Sequence, residues 1–263
     1  MTDQTIIVAQ DNRGIATITL NQADRHNAFD DAMIAELNQA LDTINEDNNV
    51  RLLVLRAAGK SFSAGADLNW MRRMAEYGLE QNHDDAMQLA RLMKTLNGLS
   101  KPVIGLVQGA SFGGGVGLVA CCDIAIASVQ AKFCLSEVRL GLIPAVISPY
   151  VIAAMGERAC RRYFMTAERF DASEAIRLGL VHQVVADDEL EPALQHMIES
   201  LLSGGPAAQA AAKDLIQSVS RREINSELIE DTANRIARIR ASEEGREGLN
   251  AFLQKRKPDW DKA

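Results

Sequence analysis

The chain has 263 residues, with 28 Lys and Arg against 35 Asp and Glu and a formal charge of −7. That balance excludes a general nucleic-acid-tracking surface, which needs clustered cations. A hydrophobic share of 47% with 24% charged residues excludes a disordered chain, and the length favours one large core with an appended segment over two equal halves.

No apolar run approaches the ~20 residues that cross a bilayer, and the first residues lack the cationic start and apolar centre of a secretory signal, so a cytoplasmic protein without a membrane partner is expected. Residues 5–8 and Ile15–Leu20 are β-rich runs around Asp11-Asn12-Arg13-Gly14, a hairpin signal. After the polar stretch 21–27, Met33, Ile34, Leu37, Leu41 and Ile44 recur at three- and four-residue spacing and predict an amphipathic helix. Residues 52–55 predict a strand buried on both faces. Met87, Leu89, Leu92, Met93 and Leu96 mark a second helix, and Lys101-Pro102 interrupts the chain before a strand at Val103–Val107.

Gly113-Gly114-Gly115 leads into an apolar helix over 116–122, followed by short strands at 124–127 and 132–135. From Ser148 onward the helical runs are 148–155, 157–167, 172–178, 187–202, 206–219 and 225–254, with one further strand at 181–185. The fold class is therefore α/β, becoming mostly helical towards the C-terminus. The last helices carry an apolar stripe of Leu228, Ile229, Ile236, Ile239 and Leu249, which demands burial on the body or on another subunit. Cys121, Cys122, Cys134 and Cys160 form no Cys-x-x-Cys pair, and His26, His83, His182 and His196 are scattered. Neither a metal site nor a disulfide framework is signalled, and buried free thiols are expected.

Two glycine-containing turns follow the predicted strands: Ser61-Phe62-Ser63-Ala64-Gly65-Ala66-Asp67-Leu68 and Gly109-Ala110-Ser111-Phe112-Gly113-Gly114-Gly115. Small residues let a backbone approach a ligand closely. A glycine run that opens a helix exposes unpaired N–H groups backed by the positive end of the helix dipole, a place that can hold a negative oxygen. Taken singly, either turn is better explained as a tight turn needed for helix–strand packing.

Those two turns, followed in order by Cys122-Asp123-Ile124-Ala125, Ala131-Lys132-Phe133, the run Ser136 to Pro144 (SEVRLGLIP) and the run Ala175 to Val185 (AIRLGLVHQVV), resemble the crotonase family of enoyl-CoA hydratases and isomerases along essentially the whole chain. The resemblance implies a crotonase-like spiral of ββα units over residues 1–200 and a helical C-terminal segment, 201–263, that builds a homotrimer or homohexamer. It implies an acyl-CoA thioester as substrate, with coenzyme A as part of that substrate and no separate cofactor. The backbone N–H groups of Ala66 and Gly114 match the family's grip on the thioester oxygen. Ala28, Ala64, Asp67 and Leu68 match positions along the substrate, and Arg25 matches a segment beside the CoA moiety, where a solvated loop cation is the equal alternative. Lys255 and Phe252 match an element that completes the nucleotide pocket of a neighbouring subunit. Asp67 also suits a local side-chain-to-backbone bond that orients its turn.

Family hydratases commonly use two glutamates. The first of those positions is Gly117 here, which cannot titrate, and the second is Glu137, the leading acid/base candidate. One carboxylate suits the proton shuttle of a Δ3–Δ2 enoyl-CoA isomerase. The segment 133–150 instead looks closest to bacterial methylglutaconyl-CoA hydratases of leucine and isoprenoid breakdown, and such a substrate would need a cation for its terminal carboxylate, with Arg72, Arg73 and Arg139 as candidates. A catalytically silent acyl-CoA-binding subunit is the alternative from another class. Trp70, Met71 and Met74 suit either the acyl pocket or the core, and Cys134 suits an apolar wall.

Overall fold

The computed structural model describes residues 4–261, which divide into two compact units. The first runs to Leu99 and from Val103 to Leu194; the second comprises Ser100–Pro102 and the chain from Gln195 onward.

The first unit opens with the expected hairpin. β1 (Ile6–Gln10) and β2 (Ile15–Leu20) pair antiparallel around a turn in which Asp11 Oδ1 accepts from the N–H groups of Arg13 and Ile15. β2 then pairs parallel with β3 (Leu52–Ala57), β3 with β4 (Val103–Val107), β4 with β6 (Ile124–Ser128) and β6 with β9 (Gln183–Val185), giving a six-stranded sheet in the order β1-β2-β3-β4-β6-β9. All five residues of β4 are buried, as a parallel strand covered on both faces requires. α1 (Asp31–Glu46) buries the predicted stripe Met33, Ile34, Leu37, Leu41 and Ile44, and the Asp30 side chain caps it by accepting from Met33 N–H. α3 (Leu79–Gly98) packs on α1 and begins eight residues before the expected Met87, because its exposed first two turns show no apolar stripe.

A second, three-stranded sheet joins β5 (Ala110–Phe112) in parallel to β7 (Lys132–Cys134) and β7 in antiparallel to β8 (Phe170–Asp171). Phe133 stacks on Phe170 with centroids 5.5 Å apart. Between β5 and β6 lies the apolar α4 (Gly114–Cys121), six of whose residues are buried. A short α2 (Leu68–Met74) follows the first glycine turn. α5 (Ser148–Met155), α6 (Glu157–Thr166) and α7 (Ala172–Leu178) come next; α7 starts at the cap Asp171 and stops at Gly179, which adopts φ 84°. α8 (Leu190–Leu202) ends the α/β part, so the strand expected at 181–185 is shorter and the helix expected from 187 begins after a 3-10 turn.

In the second unit, α9 (Pro206–Val219) has the expected bounds, whereas α10 (Ser226–Ala241) and α11 (Glu243–Leu253) replace the single helix expected over 225–254. The break is at Ser242. Its backbone is extended (φ −70°, ψ 162°), and its side chain accepts from Gly245 N–H, so it ends one helix and caps the next. The Glu244 carboxylate accepts from Ala207 and Ala208 N–H at the start of α9, and Trp260 Nε1 donates to Ser203 O at 3.1 Å.

All four cysteines are free and buried. Among the described residues no helix is long and apolar enough to cross a membrane.

Candidate active site

The two glycine turns are zipped together. Phe62 N–H donates to Gln108 O, Ser63 N–H to Ala110 O at 3.0 Å and Phe112 N–H to Ser63 O at 2.9 Å, so Ser63 and Ser111 form an isolated parallel bridge. On its other edge the first turn pairs with Phe29: Phe29 N–H donates to Gly65 O and Asp67 N–H to Phe29 O, both at 2.7 Å. In such a parallel bridge the residue between the two partners turns its own N–H away. That residue is Ala66, which is exposed and whose N–H meets no backbone acceptor among the described residues.

The second donor arises at a helix start. Gly113 N–H donates to Cys134 O at 2.9 Å, and Gly113 O accepts from Val116 and Gly117, which leaves the N–H of Gly114, first residue of α4, among the unpaired groups of the first turn. Two glycines allow the turns to meet. Gly65 (φ 94°) runs so close to the second turn that a Cβ would lie 3.3 Å from Phe112 O. A Cβ on Gly113 (φ 50°) would lie 3.2 Å from Glu137 Oε1 and 4.0 Å from Gly65 Cα.

Glu137 therefore points its carboxyl at this junction from the start of a 3-10 turn, Glu137–Leu140. Its Oε2 is buried and accepts no hydrogen bond from the described residues. Burial pushes the carboxyl above the ordinary carboxylate range, partly offset by its own backbone N–H. An acid with a raised pKa is a group suited to exchanging protons near neutral pH. One turn along α4, Gly117 offers no second acid: a Cβ there would lie 2.3 Å from Ile147 Cγ2.

Asp67 caps α2, its Oδ1 accepting from Asn69 N–H at 2.8 Å and Trp70 N–H at 3.1 Å, which is the local role its position suggested. Its Oδ2 lies 4.0 Å from Arg25 Nη1, so Arg25 stands at the rim of the same turn. Ala28 is buried, its N–H donating to Arg25 O, Ala64 N–H donates to His26 O, and Leu68 is 69% exposed. The Arg25 loop is held by Asn27, which sequence reasoning missed. Asn27 is completely buried with φ 52°; its Oδ1 accepts from Gln22 N–H and its Nδ2 donates to Ala58 O and Ser61 O, each at 2.8 Å.

Trp70 is core, its Nε1 donating to Asp85 Oδ1, while Met71 and Met74 are half-buried. Of the three candidate cations, Arg72 donates to Asn69 Oδ1 and Arg73 to Asp31 Oδ1, whereas Arg139 is exposed two residues beyond Glu137. Arg169, not singled out from sequence, stacks 5.2 Å over the Phe112 ring. Ser111, also missed, is completely buried with an Oγ that has no hydrogen-bond partner among the described residues. Burial raises the Cys134 thiol against the pull of Arg139 and Arg169, and its Sγ donates to Ala167 O, as a wall residue would. Phe252 and Lys255 lie at the end of α11 in the second unit; Phe252 is 80% exposed and Lys255 has φ 54°. Among the described residues no cluster of three or more His, Cys, Asp or Glu is arranged to hold a metal ion.

The sequence pattern of the family described as Enoyl-CoA hydratase/isomerase matches residues 10–263. An enoyl-CoA hydratase structure from Shewanella pealeana is 51% identical, with a TM-score of 0.95 over 98% of this chain and 97% of that one. Two Escherichia coli proteins are similar over nearly their full lengths. The 2,3-dehydroadipyl-CoA hydratase is 31% identical, covering 97% of this chain and 98% of its own. The 1,2-epoxyphenylacetyl-CoA isomerase is 32% identical, covering 97% of each. With two N–H groups that meet no backbone acceptor among the described residues and one half-buried carboxyl at the junction of its glycine turns, the chain is an α/β enzyme of the enoyl-CoA hydratase/isomerase family.

Proposed function

We propose that the protein adds water across the double bond of a 2-enoyl-CoA, with 3-methylglutaconyl-CoA as substrate. The observation that carries this reading is the half-buried Glu137 carboxyl beside Gly113, its Oε2 buried without a hydrogen-bond partner among the described residues and its pKa raised. As the carboxylate, Glu137 takes a proton from water while the hydroxyl oxygen bonds to C3. The displaced π electrons move onto the thioester oxygen, where the N–H groups of Ala66 and Gly114 stabilise the enolate. The enolate collapses as C2 takes the proton back from Glu137, so one water is added and the carboxylate is regenerated.

A dicarboxylic acyl group is favoured because the similar dehydroadipyl-CoA hydratase is named for one, and because Arg139 is exposed on the same 3-10 turn as Glu137. Arg139 meets the terminal carboxylate in this reading. Arg25 meets a phosphate of coenzyme A. Phe252 and Lys255 serve the nucleotide end in a neighbouring subunit of a trimer or hexamer built by the C-terminal helices. Light scattering that gives only a monomer would remove the last assignment.

Isomerisation of a 3-enoyl-CoA is the second reading, favoured by glycine at 117. The purified protein is to be incubated with 3-methylglutaconyl-CoA and, separately, with a 3-enoyl-CoA. A product heavier by one water from the first supports hydration. An equal-mass conjugated product from the second alone replaces it with isomerisation, and binding without either product makes the chain a silent acyl-CoA binder.

A further inference from the structure

Gly117 lies inside α4, where glycine is among the poorest helix formers, and its backbone is helical, so no unusual φ demands it. The demand comes from its neighbours. A Cβ at 117 would stand 2.3 Å from Ile147 Cγ2, 2.9 Å from Ile147 Cβ and 3.2 Å from Met93 Cε, all inside contact distance. Ile147 is 2% exposed immediately before α5, and Met93 on α3 is completely buried. Glycine and isoleucine are a fitted pair: one leaves the hole and the other fills it.

The hole lies one turn along α4 from the Glu137 junction. Gly113, the cap of this helix, adjoins that junction, since a Cβ there would lie 3.2 Å from Glu137 Oε1, and Gly117 follows four residues later, about 6 Å along the axis.

We infer that Ile147, with Met93, is the residue pair that closes the first turn of α4 to a second carboxylate beside that of Glu137, making Ile147 a determinant of which reaction the site performs. The chemical half of the inference rests on the reading of Glu137 as the proton-transfer group; the packing half does not.

Thermal unfolding of Gly117→Ala, Ile147→Gly and the pair tests the packing. Gly117→Ala is expected to lower Tm by about 5 °C or more, and the pair to unfold no lower than Ile147→Gly alone, because the new methyl occupies the emptied space. Simple addition of the two losses would overturn the fitted pair. This cycle uses no substrate, so its outcome is separate from that of the product assay above.

The chemistry is read from the pH profile of kcat/KM for whichever conversion the wild type performs. Gly117→Glu with Ile147→Gly is expected to add a second carboxylate ionisation to that profile, and Gly117→Glu alone to lose thermal stability and add none. A single Gly117→Glu protein that keeps its Tm and gains the ionisation, or a double variant with an unchanged profile, would overturn the role of Ile147.

Discussion

Phe29 supports both backbone donors of the site: its main chain brackets Ala66 through Gly65 O and Asp67 N–H, and its ring lies where a Cβ on Gly114 would come within 3.1 Å of Cε2. A residue seven positions past Gln22 thereby sets the spacing of two N–H groups that sit 48 residues apart in sequence, at 66 and 114.

The two ways of disturbing Gly114 should therefore differ. Gly114→Pro removes the donor and is expected to lower kcat by ~10²–10³. Gly114→Ala keeps the N–H but pushes the Phe29 ring, and its smaller loss should be partly recovered by Phe29→Leu. Steady-state kinetics on variants with wild-type circular dichroism measures both, and full activity of a folded Gly114→Pro would discard this donor.

Glu137 places function against stability. Its pKa is raised by burial, so the folded state holds the proton over a pH range in which the unfolded chain has released it. The unfolded state then binds fewer protons, and stability falls as pH rises from the ordinary carboxylate value, 4.5, through the raised one. Glu137→Gln is expected to cut turnover by ~10²–10⁴ while raising Tm at neutral pH relative to wild type, with the gain disappearing below pH 4.5. Unchanged turnover would end the acid/base assignment, and a lower Tm at neutral pH would contradict the cost of burying the charge.

Asp67 separates geometry from charge. Asp67→Ala removes acceptors for Asn69 and Trp70 N–H and should cost about 1 kcal/mol, as loss of a helix cap does, together with part of the activity of the neighbouring Ala66 turn. Asp67→Asn keeps an acceptor oxygen and should restore most of both. If the asparagine variant is as inactive as the alanine one, the carboxylate charge facing Arg25 matters more than the cap.

Away from the site, Glu174 is held at a pKa of about 2 by Arg177 and by the Tyr163 hydroxyl, which donates to it at 2.8 Å. A depressed carboxylate adds stability above its unfolded value of 4.5 that is lost as pH falls towards 2. Tyr163→Phe should raise the Glu174 pKa in an NMR titration, with only a small change in acid stability because the salt bridge from the exposed Arg177 side chain remains. An unmoved pKa would assign the whole effect to Arg177.

The parts of the fold that the sequence displays are those with local periodicity. The stripe of α1, the buried run of β3 and the glycine run before α4 each carry their own signal. β5 has three residues and exists because β7, twenty residues on, supplies its partner. The break between α10 and α11 rests on one serine inside a periodic apolar pattern, where the pattern continues and the helix does not. At the candidate site, Glu137, Ala66 and Gly114 were singled out through motif resemblance, and the structure brings the three together. Asn27 was not, because a polar residue in a polar loop gives no hint that all its hydrogen bonds will close internally. The fit of Ile147 to Gly117 was equally hidden: it joins a helix interior to a residue thirty positions later.

The burial of every thiol makes the chain its own clock. Cys160 is pushed up to about 11 by burial, so even when reached it is almost wholly unreactive thiol near neutral pH. A thiol reagent in native buffer can label Cys121, Cys122, Cys134 or Cys160 only in molecules that have opened around them. The order in which the four acquire label then gives the order in which the α/β unit comes apart, without adding a probe to the chain.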